Sequence, residues 1–406
     1  MTSALVVSPT YPSASGGSAI NLRVLVQALR ALEYSVHFVK LDIGDVDVRS
    51  DPSTVDEFAA QHRVAAARLW SLDAEATARI AAIARDAGTQ IALFQGYESI
   101  AVLDPMRIGA GLRGIVLGDP YELVCLERAR NAIVDCQSDP LGIARAVRSV
   151  QREIGKARKW SRIARRLRVF DFGYATAAHH ARRYQRINPR INYQPSPVLA
   201  PRLSVSVVAD TMEAKIASPE FRLLYIGHNL GGTSNRVGVR DLVRLLAAAS
   251  RVTVPGRSWR VLLAGDAEAM PAWAKGLLQR DQRVSWLGPV DLDSVMGEVH
   301  VLLNPISRPL GNRTRIASAF AHGVPAFSHR VALAGMPSLD EVGGALLFET
   351  PEEFAAHLSL LMTDDGVYRR LVREAARSYE SLYSAANLAR CLNAQLVGCA
   401  EAHGGD

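Results

Sequence analysis

Short apolar runs that are typical of strands alternate along this chain with segments whose apolar residues recur at helical spacing. Short apolar runs at residues 4–8, 35–40, 90–94 and 114–117 predict strands. Between them, Ala, Leu and Arg recur at helical spacing over residues 21–32 and 73–87. Because strand, helix, strand units of this length form right-handed crossovers, the first half predicts a doubly wound parallel sheet.

The same order starts again after a Pro-containing stretch at residues 193–202. Strands are predicted at residues 221–226, 259–263, 284–286 and 299–303, with a Gly-rich loop at 227–232 and a helix beginning at 241. We therefore predict an N-terminal domain of residues 1–202, a C-terminal domain of 203–377 and a closing helix, 378–406, that crosses back to the first domain. Each strand ends near Gly, Asp or Asn, where α/β sheets place ligands.

Composition agrees with two soluble α/β domains and indicates an anionic partner. The chain has 406 residues, 49% hydrophobic and 21% charged, and a net charge of +7 that suits a nucleotide, a lipid headgroup or a nucleic acid.

Its four cysteines show neither metal spacing nor the density of a disulfide framework, so a reducing cytoplasm is expected. The sequence has no apolar run of about 18 residues and no signal-peptide pattern, so we do not expect a secreted or integral membrane protein.

Residues 302–325, LLNPISRPLGNRTRIASAFAHGVP, predict an anion site. The segment passes from a buried strand through a Gly-containing loop into a helix that ends at Gly323. Arg313 and Arg315 stand at the start of that helix, where unpaired N–H groups and the helix dipole favour a phosphate. A solvated surface position remains the alternative for one of the two arginines.

Other anion-binding classes lack their motifs. No GxxxxGK[ST] loop follows a strand, and SASGGSA does not supply the GxGxxG of dehydrogenases. Zinc-finger spacing, an RNA-recognition aromatic motif and a helix-turn-helix pattern are also absent from the sequence, so nucleic acid is not an expected partner.

The two halves together resemble the large family of retaining glycosyltransferases with GT-B architecture. The resemblance rests on SPTYPSASGGSAINLRVLVQALRALEYSVHFVK at the start and on AFAHGVPAFS, where members often have EAMAxGxPVV. YIGHNLGGTSNRVGVRDLVRLL, VLLAGD, VSWLGPVDLDSVM and TPEEFAAHLSLLMTDDGVYRRLVREA resemble further family elements in the same order. The resemblance implies two Rossmann-like domains facing a cleft, with the donor site in the C-terminal domain and the acceptor site in the N-terminal one.

The chain departs from the family at one motif. Many members carry two glutamates separated by seven residues, and the corresponding positions here are Leu310 and Ser318. Since the second glutamate of the family binds the nucleotide ribose, Ser318 is expected to keep one hydrogen bond but no charged pair.

The resemblance assigns the remaining donor contacts to four short segments. Gly311, Asn312, Arg313 and Thr314 would present backbone N–H groups to the diphosphate, and Arg315 occupies a position that is often Lys or Arg. The other expected donor-binding residues are Gly16, Gly17, His228, Asn235, Arg236, Gly288 and Val290. A tight turn at Gly16 and Gly17, and a loop-capping role for His228, are the alternatives.

Catalysis in the family needs no obligatory protein nucleophile, because the donor phosphate is thought to steer the incoming hydroxyl. The protein then orients the substrates and stabilises the leaving nucleoside diphosphate, without a metal or another cofactor. Asp119 is the candidate base if one assists, and a helix N-cap is the equally good alternative. His329 is a further histidine that the sequence places near the expected cleft.

A basic segment covers residues 145–190. From Arg152 to Arg168 it holds eight Lys or Arg residues and one acid, Glu153, with Trp160 and Ile163 among them. The pattern is typical of a helix on an anionic membrane and equally of a solvated helix face.

The resemblance predicts a cytoplasmic glycosyltransferase, with a peripheral position on the inner face of a membrane as the alternative location. It would transfer a hexose-like sugar from a nucleotide-sugar donor to a glycan, lipid-linked or protein acceptor, with retention, as in polysaccharide biosynthesis. A catalytically inactive binding or scaffolding partner of an active transferase is the alternative, favoured by the loss of both glutamates.

Overall fold

The structure is a computed structural model that describes residues 2–11, 17–44, 58–135, 140–198, 205–268, 270–309, 313–336 and 343–404. The strands are β1 (Thr2–Ser8), β2 (Tyr34–Ile43), β3 (Ala60–Ala66), β4 (Thr89–Gln95), β5 (Leu112–Leu117), β6 (Phe172–Ala175), β7 (Ile191–Tyr193), β8 (Glu220–Asn229), β9 (Ser258–Asp266), β10 (Val284–Gly288), β11 (Val301–Asn304), β12 (Ala326–His329) and β13 (Ala345–Phe348). The helices are α1 (Gly17–Ala31), α2 (Ala74–Asp86), α3 (Gly96–Val102), α4 (Tyr121–Asp135), α5 (Pro140–Ile163), α6 (Ala178–Gln185), α7 (Val205–Ile216), α8 (Thr233–Ala248), α9 (Ala272–Arg280), α10 (Leu292–Met296), α11 (Thr314–Ala321), α12 (Pro351–Thr363), α13 (Asp365–Ser378) and α14 (Ala385–Gly404).

The chain divides into two compact units. The first unit contains residues 1–129, 144–197 and 385–406, and the second contains residues 130–143 and 198–384. The sequence analysis drew its boundaries at 202 and 377, whereas the units divide at 197 and 384. Helix α14 belongs to the first unit, where it contacts α1 and β6.

The first unit is built on a seven-stranded sheet in the order β3-β2-β1-β4-β5-β6-β7, and its strand pairs are parallel. Strand β1 lies inside the sheet, and its residues Ala4 to Val7 are fully buried. Such near-continuous apolar runs are expected where helices cover both faces of a parallel sheet. Helix α2 begins at Asp73, whose carboxylate accepts the Ala76 N–H and thereby caps the helix.

The second unit is built on a six-stranded sheet in the order β10-β9-β8-β11-β12-β13, also with parallel pairs. Its core combines β8, β9 and β11 with α8 and the buried faces of α12 and α13. Both units are therefore doubly wound α/β domains, which confirms the predicted fold class.

Two local predictions need correction in the second unit. Strand β8 continues through Gly227 to Asn229, where the sequence analysis placed a loop, because these residues still follow β9 with one register shift. Helix α8 begins at Thr233, eight residues before the predicted start. The helix starts with polar residues, so apolar residues recur at helical spacing only from Val237 and the sequence did not reveal the earlier start.

The predicted elements of the first unit agree with the structure to within a few residues, but the strands β3, β6 and β7 were missed. The β3 sequence, AQHRVAA, has exposed and buried positions in alternation and few β-branched residues, and β6 and β7 are only four and three residues long. Among the described residues, no helix has both the length and the apolar character that crossing a membrane requires.

Candidate functional site

The strand order of the second unit reverses between β8 and β11. From β8 the chain proceeds to β9 and β10 on one side, and β11 starts the series on the other side. Helices α8 and α11 follow these two strands, so their N-termini lie at the carboxyl edge of the sheet beside this reversal. Ligands of open α/β sheets bind at such a point.

The first turns of α8 and α11 are linked by Asn235, Arg315 and Tyr225. A guanidinium N–H of Arg315 donates to the Asn235 side-chain oxygen, although the two residues are 80 positions apart. The Arg315 guanidinium carbon lies 5.5 Å from the ring centroid of Tyr225, and the Tyr225 hydroxyl donates to the Asn235 carbonyl at 3.1 Å. Asn235 Nδ2 in turn donates to the Asn229 carbonyl at 2.7 Å. The network fixes the Arg315 charge between the two helix N-termini.

Both predicted arginines of α11 are held by the protein. Arg313 is only 5% exposed and donates from Nη2 to the Arg308 carbonyl at 3.0 Å, while Arg315 is half-buried. Neither is a solvated surface residue. The Nη1 atom of Arg315 is buried and has no hydrogen-bond partner among the described residues. A buried donor of this kind favours an anionic ligand, because leaving a charged donor unpaired is costly.

Two glycines allow the carboxyl ends of β8 and β9 to lie close to each other and to Asn235. A Cβ on Gly265 would lie 1.7 Å from the Gly227 carbonyl oxygen, and Gly265 has a φ of +126°. A Cβ on Gly227 would lie 2.5 Å from Asn235 Nδ2. Glycine is required at position 265, near the end of β9, because the close atom there is a backbone oxygen and φ is positive, whereas a side chain at position 227 would displace that of Asn235.

The other predicted donor residues that the structure describes lie along the same sheet edge. Arg236 and Thr314 are in the first turns of α8 and α11, and Ser318 is 6% exposed one turn further into α11. His228 is exposed near the end of β8. Gly288 ends β10 and Val290 follows it, half-buried. The structure brings Asn235 and Arg315 into contact from two separate helices.

Several predicted positions lie outside the described residues, namely Gly16, Leu310, Gly311 and Asn312. Gly17 is the first residue of α1. The proposals for these positions therefore stay predictions.

Two residues at this edge escaped the sequence analysis. Tyr225 is fully buried in β8, and burial raises its pKa although Arg315 opposes the change. Asn304, also fully buried, ends β11 and donates from Nδ2 to Ser328 Oγ at 2.9 Å. Its Oδ1 has no hydrogen-bond partner among the described residues. Asparagine at the end of an apolar strand was the only sequence signal for this position.

His329 has a structural role in the second unit. It ends β12, and its Nδ1 accepts the Val331 N–H at 3.2 Å, so the ring caps the short helix that follows. Burial lowers the pKa of His329, and the neutral ring that results suits this accepting role.

The first unit has its own strand reversal, between β1 and β4. Ser8 at the end of β1 donates to Gln95 Oε1 at the end of β4 over 2.7 Å, and both side chains are buried. Gly96 follows with a φ of +80°, and α3 then begins. This edge corresponds to the expected acceptor side, but the sequence analysis named neither Ser8 nor Gln95.

Polar and aromatic groups flank that edge of the first unit. Burial raises the pKa of Glu98 in the first turn of α3, and the Tyr97 and Tyr121 rings pack at a tilt of 41° with centroids 4.5 Å apart. Asp119 follows β5, and its carboxylate lies 3.3 Å from Nδ1 of His180, which is 1% exposed. Asp119 therefore lies beside a buried histidine ring.

No group of three or more His, Cys, Asp or Glu residues that could hold a metal ion is found in the described part of the chain. Arg236, Arg313 and Arg315 are the cationic side chains at the starts of α8 and α11.

The two doubly wound parallel-sheet units give the chain a GT-B fold. Residues 220–364 match the family model described as glycosyl transferases group 1, which covers the sheet edge with α8 and α11. This match confirms the resemblance drawn from the sequence. No curated protein sequence matches the chain.

Solved structures share the whole architecture at low sequence identity. A sucrose-phosphate synthase from Thermosynechococcus elongatus is 15% identical with a TM-score of 0.66, over 99% of this chain and 100% of that one. Alr3699/HepE of Anabaena, solved in complex with UDP, is 13% identical with a TM-score of 0.65, over 98% and 100%. WaaG, a glycosyltransferase involved in lipopolysaccharide biosynthesis, is 13% identical with a TM-score of 0.60, over 96% and 98%. The TM-scores over nearly the full length of each chain establish the common fold.

Proposed function

We propose that the protein is a nucleotide-sugar-dependent glycosyltransferase that binds its donor diphosphate at the N-termini of α8 and α11. The observation that carries the proposal is Arg315, held by Asn235 and Tyr225 with its Nη1 buried and unpartnered among the described residues. The family match over residues 220–364 supports the reaction class. Because Alr3699/HepE is solved in complex with UDP-glucose, UDP-glucose is the first donor to test.

In this proposal Arg315 stabilises the negative charge that develops on the leaving nucleoside diphosphate. A fixed guanidinium and helix N–H groups do this without reorganisation when the bond between the sugar and the diphosphate breaks. Ser318 would accept one hydrogen bond from a ribose hydroxyl, and the turn from Gly288 to Val290 would contact the base. The reaction would proceed with retention and without a metal ion, with arginine charge in place of a divalent cation.

The acceptor would meet the carboxyl edge of the first unit. Ser8, Gln95 and Glu98 offer hydrogen bonds for a hydroxyl-bearing acceptor there, and Asp119 with His180 offers a carboxylate held beside a ring. We propose a glycan, lipid-linked or protein acceptor, a hexosyl group as the transferred sugar and a cytoplasmic role in polysaccharide biosynthesis.

Isothermal titration calorimetry with UDP, GDP, ADP and CMP tests the donor site. One nucleoside diphosphate should bind, and Arg315→Ala should weaken it by roughly 10-fold or more, since hydrogen bonds to charged groups are worth about 1.5–3 kcal/mol. Arg313→Ala tests the second arginine in the same way. Arg244→Ala is the matched control, because Arg244 lies on α8 with its side chain 75% exposed.

The outcome of that titration decides the proposal. If no nucleotide binds, or if Arg315→Ala and Arg313→Ala both bind as tightly as the wild type, the donor site is wrong.

The second candidate is a binding protein that keeps the donor site without turnover. Leu310 and Ser318 at the two glutamate positions favour it. Release of UDP from UDP-glucose, measured with and without candidate acceptors, separates the two functions. Nucleotide binding with no release under any acceptor condition would support the binding protein.

A further inference from the structure

Helix α5 is anchored to the first unit by one face. Over residues 144–163, Ala146, Glu153 and Trp160 recur every seventh position and are at most 7% exposed. Glu153 pairs with Lys156 at 2.8 Å, and the Trp160 ring lies 5.7 Å from that of Tyr97. These contacts fix which side of the helix faces outward.

The outward side carries apolar and basic residues together. Val147 and Ile154 are 50% and 47% exposed, and they lie seven positions apart on one stripe. The exposed basic residues Arg148, Arg158, Lys159 and Arg162 lie beside that stripe. None of these four pairs with a carboxylate of the described residues, whereas Lys156 on the flank does. We call this set of six residues the α5 outer face.

We propose that the α5 outer face docks the first unit onto an anionic lipid membrane. The stripe of Val147 and Ile154 would enter the headgroup region, and the four cations would contact lipid phosphates. A helix that lies in the interface has this combination of an apolar stripe and flanking Lys or Arg. Charge complementarity indicates that the partner is anionic, since α5 and the short helix after it carry ten Lys or Arg residues and a single acid.

A membrane explains the apolar stripe better than nucleic acid does. Phosphate contacts alone would satisfy the arginines, but they would leave Val147 and Ile154 in water. The structure also corrects the residues that the sequence suggested for membrane contact. Trp160 and Ile163 are 2% and 6% exposed within the core, so they belong to the anchoring side of α5.

Flotation with phosphatidylcholine vesicles, with and without phosphatidylglycerol, tests this surface on the full chain. The wild type should bind the anionic vesicles more tightly than the neutral ones, and salt should weaken the binding. Arg158→Gln with Arg162→Gln should lower the partition coefficient roughly 10- to 30-fold, since each basic residue near such a surface is worth about 1 kcal/mol. Arg251→Gln with Arg280→Gln, exposed positions of the second unit, is the matched control.

The double variant Val147→Ser with Ile154→Ser distinguishes a membrane from a polyanion. It should lose vesicle binding several-fold and leave the binding of single-stranded DNA unchanged. The proposal is overturned if the wild type ignores anionic vesicles, if the control loses as much binding as the arginine variant, or if the serine variant binds vesicles normally. Thermal unfolding of each variant establishes that it is folded. No donor is present, so the result is independent of the proposed function.

Discussion

His300 makes the second unit sensitive to acid. The ring is 1% exposed just before β11, its Nδ1 accepts the Arg222 N–H at 3.1 Å, and its Nε2 lies 2.7 Å from the Lys215 carbonyl. Since Nδ1 accepts, Nε2 carries the proton and donates, so the neutral ring satisfies both partners. Burial lowers the pKa of His300 from 6.5 to about 4, and the nearby cations Arg257, Lys215 and Arg222 act in the same direction.

The sign of the effect follows from proton binding in the two states. Between pH 6.5 and 4 the unfolded chain binds a proton at His300 and the folded chain does not, so stability falls as the pH falls. Each pH unit between these values is worth about 1.4 kcal/mol, which gives a loss of about 3 kcal/mol on completion. Above pH 6.5 this contribution is constant.

Urea unfolding followed by circular dichroism, at several pH values from 7 to 4, measures this loss. His300→Asn removes the titrating ring, while its side-chain oxygen can still accept the Arg222 N–H. The variant should be less stable at pH 7 because the bond to the Lys215 carbonyl is lost. It should also lose about 3 kcal/mol less than the wild type between pH 7 and 4. Parallel pH profiles for the two proteins would refute the assignment of this acid sensitivity to His300.

Three further predictions concern the donor edge. Tyr225→Phe should lower the free energy of unfolding by about 1 kcal/mol, because it removes the hydroxyl bonded to the Asn235 carbonyl, and urea denaturation measures the change. Gly265→Ala should destabilise the chain by about 3 kcal/mol or more, since the added Cβ would lie 1.7 Å from the Gly227 oxygen at a positive φ; an unchanged thermal midpoint would contradict this. Arg315→Lys keeps the charge but loses the planar fork, so calorimetry should show UDP affinity reduced by about 10-fold, whereas wild-type affinity would mean that the charge alone suffices.

Local sequence was sufficient for most of the fold. β1, β4, β5 and β9 are continuous apolar runs, and their order with intervening helices predicts parallel sheets without any long-range information. The prediction failed where local signals were weak. β3 is short of β-branched residues, and the first turns of α8 are polar because they lie at the sheet edge.

The predicted donor-binding residues also depend partly on local sequence and partly on contacts between distant residues. The sequence placed Arg315 at a helix N-terminus and Asn235 between a Gly-rich loop and the following helix, because each follows a strand and a glycine-containing loop. Their contact depends on β8 lying next to β11, and no local pattern specifies that strand order.

The sequence by itself determined the α/β class, the family resemblance and the arginine-rich start of α11, since these depend on neighbouring residues along the chain. Tertiary structure alone decided the pairing of Ser8 with Gln95, the support of Arg315 by Tyr225 and the side of α5 that faces outward. Each of those features joins residues from separate elements, and the packing of the sheets and helices determines which elements meet.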